Sequence, residues 1–521
     1  MTLTDLKSNI SLEKNSKKLV FSLGLIISVG LLIRLFYFSQ YVPGYSDDAM
    51  VYFWYANDIK ILGQLPNYLS SHIGWSILLS FFFEIFTFDN FFDYIELQKM
   101  LSILISVITI IPIYFICNKF FGKEVSLIGA LLFTIEPRLI QNSLLGITES
   151  FYILLLSIIF LLALNSNRKF VLISFGLLGI TTIVRFESIL LFLPLSMYYF
   201  INYKSQQNFK KNYLFAVIIF FLMLTPLIFL NSTLEDGNFV FNRINAELSY
   251  IEGDFIEDEE PIPPWYYDYN FENIVKFLLW SMLPIFIFFV PLGSIIIFKK
   301  WKQKNIFIIL MLIFTLIPGF YALLRFSDSR YLLPAYPMFC IISLFTVNWF
   351  SEKIHNKKMF YLILIALIII PTTIFLETKV QVDTLHEDEA MKIAEYVIQK
   401  TQIINQYSPE SKYIMIAKMN QSEFPILSTE FDKMQLLDIH ANSIEEYLTV
   451  GESMGLTHLV LDGKESIYRP IFFKNIFNHE DEFPYLSKIF DSNDLNFEYH
   501  VKIFEIDYEK FHELEKLRMK D

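Results

Sequence analysis

The sequence is poor in charged residues and in cysteine, and both shortages limit what the protein can be. Of 521 residues, 18% are charged, against about 25% in average soluble domains. So few charges could not cover an ordinary water-exposed surface. Cys117 and Cys340 lie in apolar runs, and the eight histidines include no pair four residues apart. The sequence therefore predicts neither a disulfide framework nor a zinc site.

Two phosphate-binding motifs are also absent. The sequence contains no Gly-x-x-x-x-Gly-Lys loop and no Gly-x-Gly-x-x-Gly fingerprint, so ATP-driven transport and Rossmann-type redox chemistry lack support. Clusters of basic residues are missing from the polar parts as well. Residues 231–272 contain eleven acids and one base, and the net charge of the chain is −12. Because phosphate contacts need clustered bases, we expect no nucleic-acid partner.

Apolar and aromatic residues dominate what is present. The chain is 54% hydrophobic and 17% aromatic, with 55 phenylalanines, and its mean hydropathy is +0.44. This composition predicts an integral membrane protein. Residues 19–38 are long enough to span a bilayer as an uncleaved anchor. The lysines that precede them should keep the N-terminus in the cytoplasm; they are Lys7, Lys14, Lys17 and Lys18.

Further apolar segments predict a polytopic α-helical membrane protein with about 11–13 transmembrane helices. Basic loops at 168–169, 204–211, 299–304 and 353–358 should be cytoplasmic. Loops 39–70 and 231–272 and the C-terminal tail are then outside. Twelve full spans would return the tail to the cytoplasm, so one segment, in our interpretation 72–88, is re-entrant or miscounted. The segments lie at about 72–88, 98–117, 124–137, 147–164, 170–184, 187–202, 212–230, 274–298, 305–323, 331–350 and 358–376.

The chain is expected to have three parts. Residues 1–18 form a cytoplasmic tail, residues 19–377 a transmembrane domain that would carry the catalytic groups, and residues 378–521 a soluble extracytoplasmic α/β domain. In this last part residues 387–405 have an amphipathic helical pattern. Strand patterns occur at 413–417, 459–461 and 501–504.

Two adjacent carboxylates, Asp47 and Asp48, follow the first span. At the membrane surface one could act as a general base and the other as an orienting group or a metal ligand. Ser46 and these aspartates could equally cap a helix, because an amphipathic stretch at 51–64 follows. The two interpretations are compatible.

Several ionisable or polar residues are predicted near the outer ends of the spans, on the same side as the acidic pair. Such groups at membrane depth usually face a cavity or a partner. Each could instead form a local ion pair, as Arg185 could with Glu187. Their convergence from separate segments favours a shared site. The residues are Glu136, Arg138, Thr148, Glu149, Arg185, Glu187, Arg325, Asp328 and Arg330.

Two other patterns have simpler explanations. The acidic run at 257–260 could hold a divalent cation, although such runs are more often solvated. The aromatic run at 265–269 could line a sugar site, but its place just before a span is typical of the interfacial aromatic belt. The sequence requires no cofactor and predicts no metal site, and it leaves open whether the protein uses a divalent cation.

Together these motifs resemble the GT-C superfamily of polytopic glycosyltransferases, which use lipid-phosphate-linked sugars. The closer likeness is to the branch that contains the protein O-mannosyltransferases (dolichyl-phosphate-mannose-protein mannosyltransferases), the aminoarabinose transferases and transferases that decorate lipopolysaccharide. An α/β tail outside the membrane also fits that branch. The matching motifs are Ile33-Arg34-Leu35, Asp47-Asp48, Phe121-Gly122-Lys123, Glu136-Pro137, residues 182–194 around Arg185, and residues 330–337.

The resemblance implies roles for some of these residues. Asp47 matches the catalytic carboxylate of the family, and Asp48 matches a neighbouring acidic position where many members have glutamate. The family's His-Pro-Pro before the second span is replaced by residues 71–75, in which only His72 could correspond.

The chemistry needs a base for the acceptor hydroxyl and cations for the departing phosphate, because polyprenyl phosphate is already a good leaving group. Asp47 would be the base of an inverting single displacement. Arginine forks suit phosphate oxygens. The candidates for binding the donor phosphate or the substrate are Arg138, Glu149, Arg185, Glu187, Arg325, Arg330 and His72.

The sequence therefore predicts a multi-pass plasma-membrane glycosyltransferase that moves a mannose-like hexose from a polyprenyl-phosphate carrier, dolichyl or undecaprenyl, to an acceptor hydroxyl on the extracytoplasmic face. Its expected partners are the lipid-linked sugar, membrane lipid, and a protein, lipid or glycan acceptor. One alternative is a transporter or flippase of lipid-linked glycans, which should show repeated spans or helices broken at the midplane. Another is a catalytically silent partner subunit, against which the intact acidic pair argues.

Overall fold

Two compact units make up the chain in the computed structural model. One, here called the membrane unit, comprises Met1–Pro43, Asn67–Phe81 and Ile95–Gln381. The other, here called the C-terminal unit, comprises Gly44–Pro66, Phe82–Tyr94 and Val382–Asp521. The structure describes residues 3–40, 47–63, 72–88, 91–165, 167–233, 271–299, 302–325, 329–379, 384–401, 403–405, 413–414, 436–437, 439, 441–463 and 470–518.

Apolar helices account for nearly all of the described chain up to residue 379. Two 3-10 segments, Phe186–Leu191 and Ser329–Ala335, interrupt them. The helices are α1 (Leu3–Gln40), α2 (Asp47–Leu62), α3 (Gly74–Ile85), α4 (Phe91–Ile108), α5 (Ile110–Cys117), α6 (Lys123–Thr134), α7 (Pro137–Ser143), α8 (Glu149–Ala163), α9 (Arg168–Val184), α10 (Phe192–Tyr203), α11 (Phe209–Thr233), α12 (Phe271–Met282), α13 (Phe286–Lys299), α14 (Gln303–Arg325), α15 (Tyr336–Lys353) and α16 (Lys357–Lys379).

The predicted polytopic helical class is confirmed. Within the described residues, six helical stretches are long and apolar enough to cross a bilayer; they are Lys17–Ser39, Phe92–Cys117, Phe209–Pro226, Gln303–Tyr321, Ser329–Lys353 and Lys357–Thr378. The pair α12 and α13 adds a seventh if it is counted as one broken span. The count of about 11–13 from the sequence also includes segments that form shorter helices, such as α3, α6, α8 and α10.

One predicted span departs from a straight helix. The apolar segment at 274–298 bends by 101° between α12 and α13. The hydropathy of a segment depends on its composition alone, so it does not reveal such a break. A broken helix needs hydrogen-bond partners for the backbone groups that are exposed at its ends. Those partners come from a distant part of the sequence and are described below.

The membrane unit is apolar inside and outside. Phe133 and Phe339 are almost completely buried, whereas Phe288 and Leu362 expose 73% and 70% of their surface. Large apolar side chains at outward positions suit contact with lipid rather than water.

The C-terminal unit contains a five-stranded mixed sheet, which confirms the predicted small α/β part. The strand order is β2-β1-β3-β5-β4, with β1 parallel to β2 and β3, and β5 antiparallel to β3 and β4. Of the predicted strand at 413–417 the structure describes only Tyr413 and Ile414, and these two residues are helical rather than extended. The elements are α17 (Thr384–Lys400), β1 (Ile404–Asn405), β2 (Leu436–Leu437), α18 (Ile444–Met454), β3 (His458–Asp462), α19 (Ile471–Asn478), β4 (Leu486–Asp491), β5 (Val501–Ile506) and α20 (Tyr508–Arg518).

Side chains of the central strands point alternately to the two faces of the sheet, so the core of this unit has two parts. Leu459 and Leu461 of β3 pack in one cluster with α18 and α19, while Val460 packs in the other with α17. Successive side chains of a strand point to opposite faces, so both faces of the sheet are covered.

Candidate active site

A helical hairpin in the membrane unit brings residues from separate parts of the sequence together. The connection between α8 and α9 is short, so these helices are antiparallel neighbours. Glu149 is the first residue of α8 and Arg185 follows the last residue of α9, so both lie at the same end of the hairpin. Arg185 has an extended backbone with φ −148°, which ends the helix, and the following 3-10 segment places Glu187 close by.

Arg185 is the centre of a largely buried ion-pair cluster. Its Nη1 donates to Oε1 of Glu149 at 2.7 Å, and its Nε donates to Oε1 of Glu187 at 2.6 Å. Nε2 of His72 lies 3.6 Å from Oε2 of Glu187. Arg185 and Glu149 are 7% and 2% exposed, whereas the side chains of His72 and Glu187 are 16% and 24% exposed. The cluster thus has a buried end at Glu149 and a more accessible end at Glu187 and His72.

Tyrosine rings join a second arginine to this cluster. Tyr152, one turn after Glu149 on α8, has its ring centre 5.8 Å from Cζ of Arg185. The ring centre of Tyr331 lies 5.6 Å from Cζ of Arg185 and 5.6 Å from Cζ of Arg330. These distances are typical of cation–π contacts. Two guanidinium groups therefore share one aromatic ring. No sequence pattern singles out Tyr152, and Tyr331 stands in the motif at 330–337 without a role.

The turn before α8 is fixed by two buried side chains that the sequence analysis did not single out. Nε1 of Trp75 and Nε2 of Gln98 both donate to the carbonyl of Gly146, at 2.9 and 2.8 Å. Gly146 has φ +73°, and a Cβ there would lie 3.1 Å from Cγ of Gln98, so glycine suits this position. An amide side chain inside an apolar span is the signal that could have identified Gln98.

Arg138 closes the break between α12 and α13. Its guanidinium donates short hydrogen bonds to the carbonyls of Trp280 and Leu283, and its Nη1 lies 3.3 Å from Oε1 of Glu136. It also packs over the rings of Trp280 and Phe375, at 5.0 and 4.7 Å. Carbonyl groups at the end of a helix lack partners within it. Arg138 donates to both carbonyls, and that of Trp280 also accepts from the N–H of Leu283 at 3.2 Å. These contacts favour a structural role for Arg138.

The acidic pair forms the first two residues of a helix. α2 starts at Asp47, and Asp48 is partly exposed. Both belong to the C-terminal unit. The side chains of Asp47 and Arg325 lie outside the described residues, as do Asp328 and the runs at 257–260 and 265–269, so their roles stay predictions. In the part of the chain that is described, no three His, Cys, Asp or Glu side chains are grouped as a metal site would require.

Comparison with known families gives one match. A model of the dolichyl-phosphate-mannose-protein mannosyltransferase family matches residues 73–229. This segment includes the α8–α9 hairpin with Glu149, Arg185 and Glu187, and it ends before Arg330. No curated protein sequence matches the chain significantly.

Solved structures show a similar fold at low sequence identity. ArnT from Cupriavidus metallidurans bound to undecaprenyl phosphate has a TM-score of 0.57 and 10% identity, over 92% of this chain and 97% of that one. The oligosaccharyltransferase AglB from Archaeoglobus fulgidus, in complex with an inhibitory peptide and a dolichol-phosphate, has a TM-score of 0.55 and 11% identity, over 84% and 69%. The chain has the GT-C fold.

The resemblance to the GT-C superfamily that the sequence motifs suggested is thereby confirmed. The matched family model and both structural neighbours describe glycosyltransferases. Within the GT-C fold of this protein, Glu149, Arg185 and Glu187 lie in the segment that the family model covers, and His72 directly precedes it. The acidic pair lies before that segment.

Proposed function

We propose that this GT-C protein is a membrane glycosyltransferase that uses a polyprenyl-phosphate-linked hexose. The family model and the lipid phosphates named with both structural neighbours support this donor class. The acceptor is a hydroxyl of a protein, lipid or glycan on the extracytoplasmic face. A mannose-like hexose is the sugar that the family match favours.

The observation that carries the proposal is the arrangement of Arg185 and Arg330 around Tyr331. Arg185 is held by Glu149 and Glu187, so its charge is largely balanced. Arg330 is partly exposed, and its planar fork matches phosphate oxygens. We therefore propose that Arg330 binds the departing phosphate. The Arg185 cluster holds the Tyr331 ring and the adjacent helix ends in place beside it.

Asp47 completes the reaction as the base. Its carboxylate takes the proton of the acceptor hydroxyl, whose oxygen then attacks the anomeric carbon. The bond from that carbon to the phosphate oxygen breaks, and polyprenyl phosphate leaves with the electron pair. The single displacement inverts the anomeric centre, and a base of this kind contributes typically about 10²–10⁴-fold.

The assignment is tested with purified protein in native lipid, radiolabelled polyprenyl-phosphate hexoses and a total membrane extract. Wild type should move label to a new acceptor, and Asp47→Asn should abolish this transfer at equal expression. Asp48→Asn is the matched control for loss of one negative charge in the same turn, and we expect it to keep more activity. Full activity in Asp47→Asn would refute its role as base.

A further inference from the structure

A cavity of about 360 Å³ lies in the C-terminal unit, and neither Asp47 nor Arg330 is among the residues that line it. Its size is at the lower end of ligand pockets, which hold about 300–1,000 Å³, so it suits one small ligand or one unit of a larger one. It is formed where the start of α17, the end of α19 and the residues before β5 meet. The side chains that line it are His386, Glu389, Phe477, Glu498, Tyr499 and His500.

Aromatic rings form two sides of this cavity. The ring centres of His386 and Tyr499 are 4.1 Å apart, and those of Phe477 and His500 are 4.7 Å apart. Phe477 and Tyr499 are each 6% exposed, so these rings are held firmly. The faces of aromatic rings are electron-rich and attract weakly positive C–H groups. Such walls suit the C–H face of a pyranose ring.

Hydrogen bonds hold the walls of the cavity in place. The Glu389 carboxylate accepts from the backbone N–H of Tyr499 at 2.8 Å and from that of Glu498 at 3.2 Å. Nε2 of His500 lies 2.8 Å from Oδ1 of Asp491. The backbone before β5 is thereby tied to α17 and the His500 ring to β4, which gives a pre-formed site.

The two carboxylates of the cavity disfavour an anionic ligand. Glu389 and Glu498 contribute carboxylates, and the hydroxyl of Tyr499 lies 3.5 Å from Oδ2 of Asp462. No lysine or arginine lines the cavity among the residues that the structure describes. Carboxylates accept hydrogen bonds and do not donate them when ionised. These carboxylates therefore favour a ligand that offers hydrogen-bond donors and carries no acid group.

From these features we infer that the cavity of the C-terminal unit binds a non-acidic saccharide ring. The rings pack on its C–H face and the carboxylates accept from its hydroxyl groups. A site of this kind would hold a sugar apart from the transfer reaction. The inference concerns binding alone and stands whether or not the proposed transfer is correct.

The test is saturation-transfer NMR on the full-length protein in phospholipid nanodiscs, because many detergents carry sugar headgroups. The probes are methyl α-D-mannopyranoside and the methyl glycoside of glucuronic acid. The mannoside should receive saturation, strongest at its ring C–H protons, and the glucuronide should not. Absence of a mannoside signal at millimolar concentration, or an equal signal from the glucuronide, would overturn the inference.

Two variants locate the binding. Glu498→Lys changes an exposed residue of the wall and should weaken mannoside binding about tenfold, the loss expected for one hydrogen bond to a charged group. Glu513→Lys makes the same charge change at an exposed position of α20 and should bind as wild type does. In Gly463→Ala the new Cβ would lie 2.8 Å from the Phe477 ring and displace it, so binding should again fall. Equal binding by all three variants would place the sugar elsewhere and refute the site.

Discussion

Three arginines of the membrane unit show how the same side chain takes different roles. Arg138 satisfies backbone carbonyls at a helix break, Arg185 is held between two glutamates, and Arg330 is partly exposed beside Tyr331. A buried guanidinium whose partners are carbonyls mainly stabilises the fold, whereas an accessible one next to a buried cluster can meet a substrate. Burial and partners therefore distinguish the three arginines, which the residue type alone does not, and the role of each is a proposal.

A pair of matched substitutions separates these roles. Arg330→Gln should lower kcat/KM for sugar transfer by about 10²–10³-fold, as expected when one group that stabilises developing charge is removed, with little change in Tm. Arg138→Gln removes the guanidinium that donates to the carbonyl of Leu283 and to that of Trp280, which keeps only the N–H of Leu283 as a donor. This loss should cost about 1–3 kcal/mol of stability. Transfer rates and thermal unfolding of both proteins in detergent provide the comparison. Unchanged transfer by Arg330→Gln would remove Arg330 from the site.

For single residues, the sequence predicts which ionisable side chains come together better than it predicts what each of them does. It places Glu149, Arg185 and Glu187 near span ends, and the structure joins them through direct ion pairs. It cannot place Trp75 or Gln98, because their shared acceptor is the carbonyl of a glycine far along the chain. Contacts between distant backbone groups leave no local pattern in the residues.

Among the elements, close helix packing depends on a few glycines. A Cβ on Gly293 of α13 would lie 2.1 Å from the carbonyl oxygen of Ile342 on α15, and a Cβ on Gly74 would lie 2.7 Å from Cα of Val184. These two approaches join α13 to α15 and the start of α3 to the end of α9. Small residues let helices in membranes come this close.

Gly293→Ala should therefore destabilise the protein. Its methyl group meets backbone, which cannot move aside as a flexible side chain does, and overpacking typically costs about 1–3 kcal/mol. The matched control is Gly24→Ala on α1, where nothing lies within 4 Å of the new Cβ. Tm values of the two variants in the same detergent make the comparison, and we expect only Gly293→Ala to unfold at lower temperature. An equal Tm for both would contradict the close approach of α13 and α15.

The β4–β5 hairpin of the C-terminal unit should respond to acid. Hydrogen bonds from Lys488 and Lys502 outweigh desolvation and lower the pKa of Glu480 from its usual 4.5. Although burial opposes it, hydrogen bonds from Asn493, His500 and Lys488 lower the pKa of Asp491 from its usual 3.8. A carboxylate with a lowered pKa stabilises the fold at neutral pH, and this stabilisation is lost as the pH falls below the usual value.

Hydrogen exchange of the full-length protein, corrected for the intrinsic exchange rate, measures this effect. Protection of β4 and β5 should fall as the pH drops below about 4.5, the usual pKa of Glu480. The dependence should be weaker in Glu480→Gln, and protection in the apolar helix α15 serves as the internal reference. The same acid dependence in wild type and Glu480→Gln would contradict the role of this carboxylate.

Among the helices and strands, the sequence predicts some elements correctly and misses the geometry of others. The strands predicted at 459–461 and 501–504 fall within β3 and β5. β3 is a short apolar run that is buried throughout, and β5 begins with alternating apolar and polar residues, so both patterns are local. The single span predicted at 274–298 is broken instead, since Arg138 from another segment supports the bend. Hydropathy detects that a segment is apolar, but the geometry of a break depends on its partners.

For the whole molecule, the proposal requires the C-terminal unit to lie outside the cytoplasm. The basic loops between spans predict this orientation, and it can be measured because both native cysteines are buried. Glu513→Cys places a thiol on α20, and Ser205→Cys places one in the basic loop after α10, both at exposed positions. A membrane-impermeant maleimide should label Glu513→Cys in intact cells and Ser205→Cys only after permeabilisation. The reverse pattern would invert the topology.

The most direct test of the account is to follow both halves of a labelled donor in proteoliposomes. Purified wild-type protein receives a polyprenyl-phosphate hexose with separate labels on the sugar and the lipid, together with membrane-derived acceptors. A transferase should release polyprenyl phosphate in step with the appearance of sugar on the acceptor, and Asp47→Asn should do neither. If the intact lipid-linked sugar instead crossed the bilayer with both labels together, the protein would be a flippase, and the central claim would be wrong.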